Sequence, residues 1–321
     1  MGRRNLIVGG LGLFGRYLAG KLLEGGEEVA LFDREDRLPP GFEDLKGHVE
    51  TMSGDITSLP HVVEAVKKSG PDCIFHVAAL MNAPCESSPA VGFYVNIQGT
   101  FHVLEAARLF GVRQVLFPSS RATFGPDTPA VVTGDMPQRP TVMYGVTKVC
   151  GELLGEYYGR RYGFDFRGLR FPVVVGAGRL LTTPLVSDVN KIIEASVAGI
   201  PFTSGLDPHT PINIIYVKEV IEAFLQLRSA DEGRLSRRTY NITGLNVIPI
   251  QMVEALKKIL PWTDVTFKPD ESEAALRLRK AMSKQMDDSP ARKDWSWQPR
   301  FSVEGMINDF VEETRKVGAP R

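Results

Sequence analysis

Residues 5 to 15 constrain this chain more than any other stretch. Asn5-Leu-Ile-Val8 reads as an apolar strand that runs into Gly9-Gly-Leu-Gly12-Leu-Phe-Gly15 and then into an apolar-periodic helix through Leu23. Strand, glycine turn and helix in this order predict the first unit of a parallel sheet that holds a dinucleotide. Gly9 permits the tight turn, Gly12 lets backbone reach a pyrophosphate at the positive helix end, and Gly15 lets the helix pack on the strand. The spacing is GxxGxxG rather than GxGxxG, and the competing reading is a purely structural glycine turn. A second strand, Glu28 to Phe32, ends in Asp33, where a carboxylate can accept from both ribose hydroxyls and would repel a 2′-phosphate. NAD is therefore expected over NADP. Arg34 and Arg37 leave room for dual use, and a capping or solvated turn aspartate is the plainer alternative.

A second motif supplies chemistry. Tyr144-Gly-Val-Thr-Lys148 opens a helix predicted over Met143 to Tyr162, with phenol and ammonium on one face. A phenol of pKa about 10 is a poor base at neutral pH, but an ammonium one turn away and a cationic nicotinamide both favour the phenolate. Tyr144 could then accept a hydroxyl proton. Taken alone, YxxxK arises often by chance and fits a half-buried tyrosine beside a solvated lysine. The strand Gln114 to Phe117 shifts that balance, because it ends in Pro118-Ser119-Ser120 and sets two hydroxyls at the sheet edge where ligands bind. Ser120 is expected to hydrogen-bond the substrate oxygen while Tyr144 handles its proton. The alternative is a serine capping the next turn.

With 43% hydrophobic and 24% charged residues among 321, the composition is that of a soluble globular chain with room for one large and one smaller domain. Its 38 basic and 38 acidic residues cancel, so no global field recruits nucleic acid or an acidic membrane, and a small-molecule substrate is the expected partner. No run approaches about 18 consecutive apolar residues. The first strand starts directly after Met1-Gly-Arg-Arg4, so a cytoplasmic protein without signal or transit segment is expected. Cys73, Cys85 and Cys150 lack CxxC spacing, which predicts reduced thiols and no metal site.

Further along, a strand near Val49 to Met52 leads to Gly54-Asp55-Ile56. Asp55 reads either as a partner for the adenine amino group or as the N-cap of a helix over Pro60 to Ser69. Cys73-Ile-Phe-His-Val77 is a continuous apolar strand ending in Ala78-Ala79, small residues that let a cofactor lie close; His76 within it reads as a core histidine. Ser88 to Phe110 is one long helical pattern carrying Asn96 and Gly99, and Asp165 to Phe171 is a further strand. This alternation predicts an α/β fold with a Rossmann-type doubly wound parallel sheet over residues 1–172. Beyond Pro172 come helices near 184–198, 217–228 and 249–260, strands Ile212 to Ile215 and Thr239 to Ile242, a polar stretch Pro269 to Arg300, and a last helix Val303 to Val317. Residues 173–321 read as a smaller C-terminal α/β substrate-binding cap, with strands from about 211–245 returned to the main sheet.

Taken together, these motifs resemble the extended short-chain dehydrogenase/reductase superfamily, the NAD-dependent epimerase/dehydratase family, over the whole chain. Within it, Pro118-Ser119-Ser120 with Phe124-Gly125-Pro126, the stretch Gly151 to Pro172, Thr239-Tyr-Asn-Ile242 and Asp288-Ser-Pro-Ala-Arg-Lys-Asp-Trp-Ser-Trp297 resemble short-chain-type L-threonine 3-dehydrogenases. The resemblance implies that Gly9, Gly12, Leu13, Phe14, Gly15, Asp33, Arg34, Asp55, Ile56, Ala78, Ala79, Leu80, Asn96, Ser119, Tyr144, Lys148, Phe171, Pro172 and Val173 lie at an NAD cofactor. It also implies that Ser120 and Tyr144 meet the substrate hydroxyl. The expected activity is NAD-dependent oxidation of a secondary alcohol in L-threonine or a related β-hydroxy acid.

Departures from that family narrow the substrate question. Leu181-Thr182-Thr183-Pro184-Leu185-Val186 stands where those enzymes have Gly-Thr-Thr-Asp-Tyr-Ala, and Pro172-Val-Val-Val175 replaces Pro-Gly-Ile-Ile. Thr182 and Thr183 keep hydroxyls that can bond a carboxylate, with Arg179 as a charge partner, in a pocket made more apolar. Turn or helix-capping threonines and a solvated loop arginine are the alternatives. Arg170-Phe-Pro-Val-Val-Val-Gly-Ala177 lacks the Asn, Tyr and Pro that sugar-nucleotide epimerases carry there, and Arg121-Ala122 follows Ser120 where dehydratases have Asp-Glu. A sugar-nucleotide epimerase or dehydrogenase is the runner-up, and a non-catalytic dinucleotide binder comes third. The helices over 88–110 and 142–162 carry Phe93, Tyr94, Phe101, Leu153, Tyr157 and Tyr158, more apolar surface than one sheet contact requires. By resemblance they pair in a homodimer; otherwise they face only the sheet and cap.

Overall fold

Short apolar runs separated by glycine and polar turns build the first half of the molecule. β1 (Arg4–Val8), α1 (Leu13–Glu24), β2 (Glu28–Asp33), β3 (Glu50–Ser53), α2 (Leu59–Ser69) and β4 (Cys73–His76) are followed by α3 (Asn82–Ser87), α4 (Pro89–Gly92) and α5 (Gly99–Leu109). Then come β5 (Gln114–Ser120), β6 (Val131–Val132), α6 (Met143–Tyr162) and β7 (Asp165–Phe171). The coordinates, a computed structural model, describe residues 2–35, 37–38, 41–178 and 184–317. The helix expected over 88–110 is interrupted: Phe93–Gln98 is π-helical and carries Asn96. A single wide turn barely disturbs apolar periodicity, which is why the sequence pattern reads straight through it.

The second half contributes β8 (Val173–Val175), α7 (Pro184–Ala198), β9 (Phe202–Ser204), β10 (Ile212–Tyr216), α8 (Val217–Ser229), β11 (Thr239–Asn241), β12 (Leu245–Val247) and α9 (Pro249–Ile259). β13 (Val265–Phe267), α10 (Glu273–Met282), β14 (Gln285–Met286), α11 (Ser289–Trp295) and α12 (Val303–Val317) complete it. The polar stretch 269–300 thus holds two helices, α10 and α11, that its low hydrophobicity concealed.

The main sheet has seven strands in the order β11-β7-β5-β4-β1-β2-β3, and every pairing in it is parallel. The order in which strands are added reverses between β1 and β4, so a crevice opens at their carboxyl ends. Alternation assigns the faces: Ile7, Leu31, Phe75 and Leu116 pack with Leu18, Leu22 and Phe224 of α1 and α8, whereas Leu6, Phe32, Ile74 and Phe117 pack with Val62, Leu104 and Tyr158 of α2, α5 and α6. Of the strands expected to return to this sheet, only β11 does. β10 instead centres a separate sheet, β12-β10-β8, because β8 follows β7 almost at once and claims β10 as its own parallel neighbour.

The second half of the chain is tied to the first half and to the sheet by polar contacts. Arg228 at the end of α8 reaches Glu27, Nη2 to Oε1 at 2.6 Å. Asp294 accepts from the Tyr240 hydroxyl (2.7 Å) and the Ser236 amide (2.9 Å), while Trp295 packs edge-on against Tyr240. The tryptophan-bearing motif at 288–297 is therefore the clamp that fixes the C-terminal segment on edge strand β11. Among the described residues no helix is long and apolar enough to cross a membrane.

Candidate active site

The turn after β1 is held by backbone proximity. Gly9 has φ +86°, and a Cβ built there would lie 2.5 Å from the Ala78 nitrogen, so the ends of β1 and β4 touch only because this residue has no side chain. Ala78 in turn donates its N–H to the Val8 carbonyl at 2.8 Å. Gly15 meets the turn rather than the strand, since its Cβ would fall 2.1 Å from the Gly10 oxygen. Gly12 differs: a Cβ there would find only the Gly9 oxygen, at 3.4 Å, which leaves open space at the amino end of α1 for an anionic group. Asp33 braces this turn, accepting from the Leu11 amide (2.9 Å) and the Arg34 amide (2.7 Å). Each carboxylate oxygen keeps a further lone pair for a ribose hydroxyl.

A cleft of about 960 Å³ opens beside this turn. Gly9, Gly12, Leu13, Phe14, Ala79, Ser120, Tyr144, Lys148, Phe171, Pro172 and Val173 all line it, so residues far apart in sequence converge. The volume suits a ligand of cofactor size. Lys148 Nζ donates to the Pro118 carbonyl at 2.7 Å and sits 4.7 Å from the Phe117 ring centre and 5.6 Å from that of Tyr144. Burial pushes its ammonium down to about 7, with Glu152 opposing, so its charge responds to small changes around it. Ser120 Oγ accepts from the Ala122 amide at 3.1 Å, which leaves its proton to donate.

Other expected residues are not among those that line the cleft. Asn96 receives the Leu80 amide at 2.7 Å and donates to the Leu80 carbonyl at 2.9 Å and to Thr147 at 3.1 Å, pinning the 78–80 segment to α6. The π turn is what carries it there. Ser119 is fully buried and donates to Glu152, which binds Arg170 in a two-point pair (Nε to Oε1 2.8 Å, Nη2 to Oε2 2.6 Å) and also receives Gln138 at 2.8 Å. Ile56 packs against α5, and its carbonyl meets His102 at 2.9 Å. Asp55 is exposed and caps its own turn, accepting from the Thr57 amide at 2.8 Å, which holds its carboxyl below the usual range; Ser58, not Asp55, is the N-cap of α2. His76 is a core residue, 2.9 Å from the Thr100 hydroxyl, and burial pushes its imidazole down to about 3.

Arg179, Thr182 and Thr183, expected at the substrate, lie outside the described residues. Sequence reading passed over other cleft residues: Arg121 in the turn after β5, and Glu273, Arg277 and Leu278 on α10. An amphipathic rhythm in 273–282 was the available signal for α10; a lone arginine in a turn carries none.

Comparison with known proteins agrees with this geometry. The profile of the NAD dependent epimerase/dehydratase family matches residues 5–243. A mitochondrial L-threonine 3-dehydrogenase of Sus scrofa is 34% identical over 311 residues, covering 96% of this chain and 82% of that protein. Among solved structures, an L-threonine dehydrogenase of Cupriavidus necator in its holo form is 29% identical and superposes with a TM-score of 0.86, covering 96% of this chain and 99% of the other. An L-threonine 3-dehydrogenase described as monomeric, from a metagenome, shares the fold at 24% identity (TM-score 0.84, 98% and 99% covered). The protein is thus an oxidoreductase that works on a small molecule with a nicotinamide dinucleotide, and the chain belongs to the NAD dependent epimerase/dehydratase family.

Proposed function

We propose that this enzyme oxidises the secondary alcohol of a small β-hydroxy carboxylate, with L-threonine the first candidate and NAD the oxidant. One observation carries the reading: Ser120, Tyr144 and Lys148 share a single cleft with the glycine turn at the switch point of the sheet. Gly9, Gly12, Asp33 and Lys148 are the residues to hold the dinucleotide, whose nicotinamide supplies the acceptor for the two electrons leaving the carbinol carbon. Ser120 donates a hydrogen bond to the carbinol oxygen, and Tyr144, as phenolate, takes its proton. Lys148 as ammonium favours that phenolate. Residues 1–172, completed by β11, form the dinucleotide half, and 173–321 supply the cap over the substrate.

Asp33 supports NAD over NADP, since its carboxylate stands at the end of β2 with lone pairs to spare. A panel of secondary alcohols, followed by the absorbance of the reduced cofactor, tests both points. L-threonine or 3-hydroxybutyrate should reduce NAD in preference to NADP, and Asp33→Ala should weaken NAD about tenfold or more while NADP changes little. Turnover of UDP-glucose alone would replace the reading with the sugar-nucleotide one, and an NADP preference in the wild type would sink the cofactor assignment.

A homodimer is part of the proposal. Phe93 and Tyr94 in the π turn, Phe101 on α5, and Leu153 and Tyr157 on α6 are exposed, Leu153 at 60%, which supports a covered surface. Tyr158, expected with them, is instead interior and donates to Glu105 at 2.5 Å. Because a structural relative is described as monomeric, solution mass decides: a dimer is expected, and Leu153→Glu should convert it to monomer. A wild-type monomer at micromolar concentration would reject the assembly.

A further inference from the structure

Among the described residues four cations line the cleft, and three have partners. Lys148 bonds the Pro118 carbonyl, Arg16 approaches Glu313 at 4.0 Å, and Arg277 pairs with Glu273 at 2.5 Å. Arg121 is the exception. It is only 8% exposed, and its Nε and Nη2 are buried with no hydrogen-bond partner; among the described residues no carboxylate pairs with it. A buried guanidinium without an acceptor is strongly disfavoured unless something else supplies one. Burial alone pushes its pKa down to about 10, with no opposing charge to restore it.

We infer that Arg121 is the anchor for an anionic group of the substrate, a carboxylate held close to the carbinol, and so selects β-hydroxy acids over neutral alcohols. The placement favours substrate over cofactor as the source of that anion. Arg121 directly follows Ser120 at the carboxyl end of β5, in the turn Arg121–Phe124, whereas the pyrophosphate end of a dinucleotide belongs at the glycine turn after β1. β4 lies between the two strands, so they are separated by about 10 Å. A planar fork of N–H donors matches a carboxylate at two points, which fixes the orientation of the neighbouring carbinol as well as its affinity. A carboxylate satisfies these donors and a neutral alcohol leaves them unpaired, which is the source of the discrimination.

The inference rests on the oxidation reading above, and the test separates the two. In full-length enzyme, Arg121→Gln should raise KM for the hydroxy carboxylate that the wild type oxidises by about a hundredfold, with a smaller change in kcat. KM for the corresponding neutral amide should stay within about threefold, and NADH binding, read by fluorescence, within about twofold. Arg121→Lys should recover part of the loss. Because the variant removes a buried charge that has no partner, it should melt no lower than the wild type, which guards against loss of fold. A carboxylate KM unchanged within about threefold would overturn the inference, and so would an NADH affinity that falls as far as the substrate KM rises. If the wild type oxidises no hydroxy carboxylate, the oxidation reading fails on its own, and binding decides about Arg121. Protection of the NADH complex from thermal unfolding by butyrate or 2-aminobutyrate in the wild type, lost in Arg121→Gln, supports the anchor. Equal protection in both proteins, or none in either, removes it.

Discussion

Tyr144→Phe is expected to lower kcat at least about a hundredfold with every substrate that the wild type accepts, while leaving NADH binding near its normal strength. Among the described residues of the cleft the phenol alone combines an O–H with a neighbouring ammonium, and phenylalanine keeps the ring in its place on α6. Titration of bound NADH by fluorescence, alongside stopped-flow turnover, separates the two effects. Near-normal turnover would remove Tyr144 from proton transfer. Loss of binding together with turnover would instead assign the residue to holding the dinucleotide.

The second large effect concerns stability. Glu152 is 2% exposed and answers Arg170 with both oxygens while receiving Ser119 and Gln138. Glu152→Ala leaves a buried guanidinium without its counter-charge, and a loss of about 3–5 kcal/mol is expected in urea unfolding. Arg170→Met in the same chain should restore most of it, since removing both charges also removes the desolvation penalty. A loss under about 1 kcal/mol for Glu152→Ala would mean that solvent already reaches the pair. Glu152 also holds up the charge of Lys148, so the single substitution should depress turnover at neutral pH even where the protein remains folded.

Some of this was legible from residues alone. Gly9, Gly12, Asp33, Ser120, Tyr144 and Lys148 stand at strand and helix ends that local periodicity marks, so their convergence on one sheet edge follows from the topology. Asn96 and Ser119 were also marked, but their work is done through neighbours, Leu80 and Thr147 for one and Glu152 for the other, and partner choice is a property of packing. The π turn at Phe93–Gln98 escaped because one residue of extra advance is invisible to an apolar stripe. Arg121 escaped because nothing in a sequence distinguishes a solvated turn arginine from one buried without an acceptor. β10 was misplaced since a strand of Ile212–Tyr216 carries no label for the sheet it will join.

The edge strand β11 has a consequence for synthesis. It pairs with β7, yet 67 residues of chain lie between Phe171 and Thr239. At about 5–20 residues per second, a ribosome needs roughly 3–14 s to cross that interval. During it the nascent polypeptide holds six parallel strands with the flank of β7 bare, an open template for other chains. Only when Thr239 to Asn241 emerge can the flank close, and the tryptophan clamp that secures them arrives later still, with Asp294 to Trp297. The strands β1 to β7 of the sheet are thus translated early and their β7 flank is covered late, so the placement of β11 governs how long that flank stays exposed to chaperones.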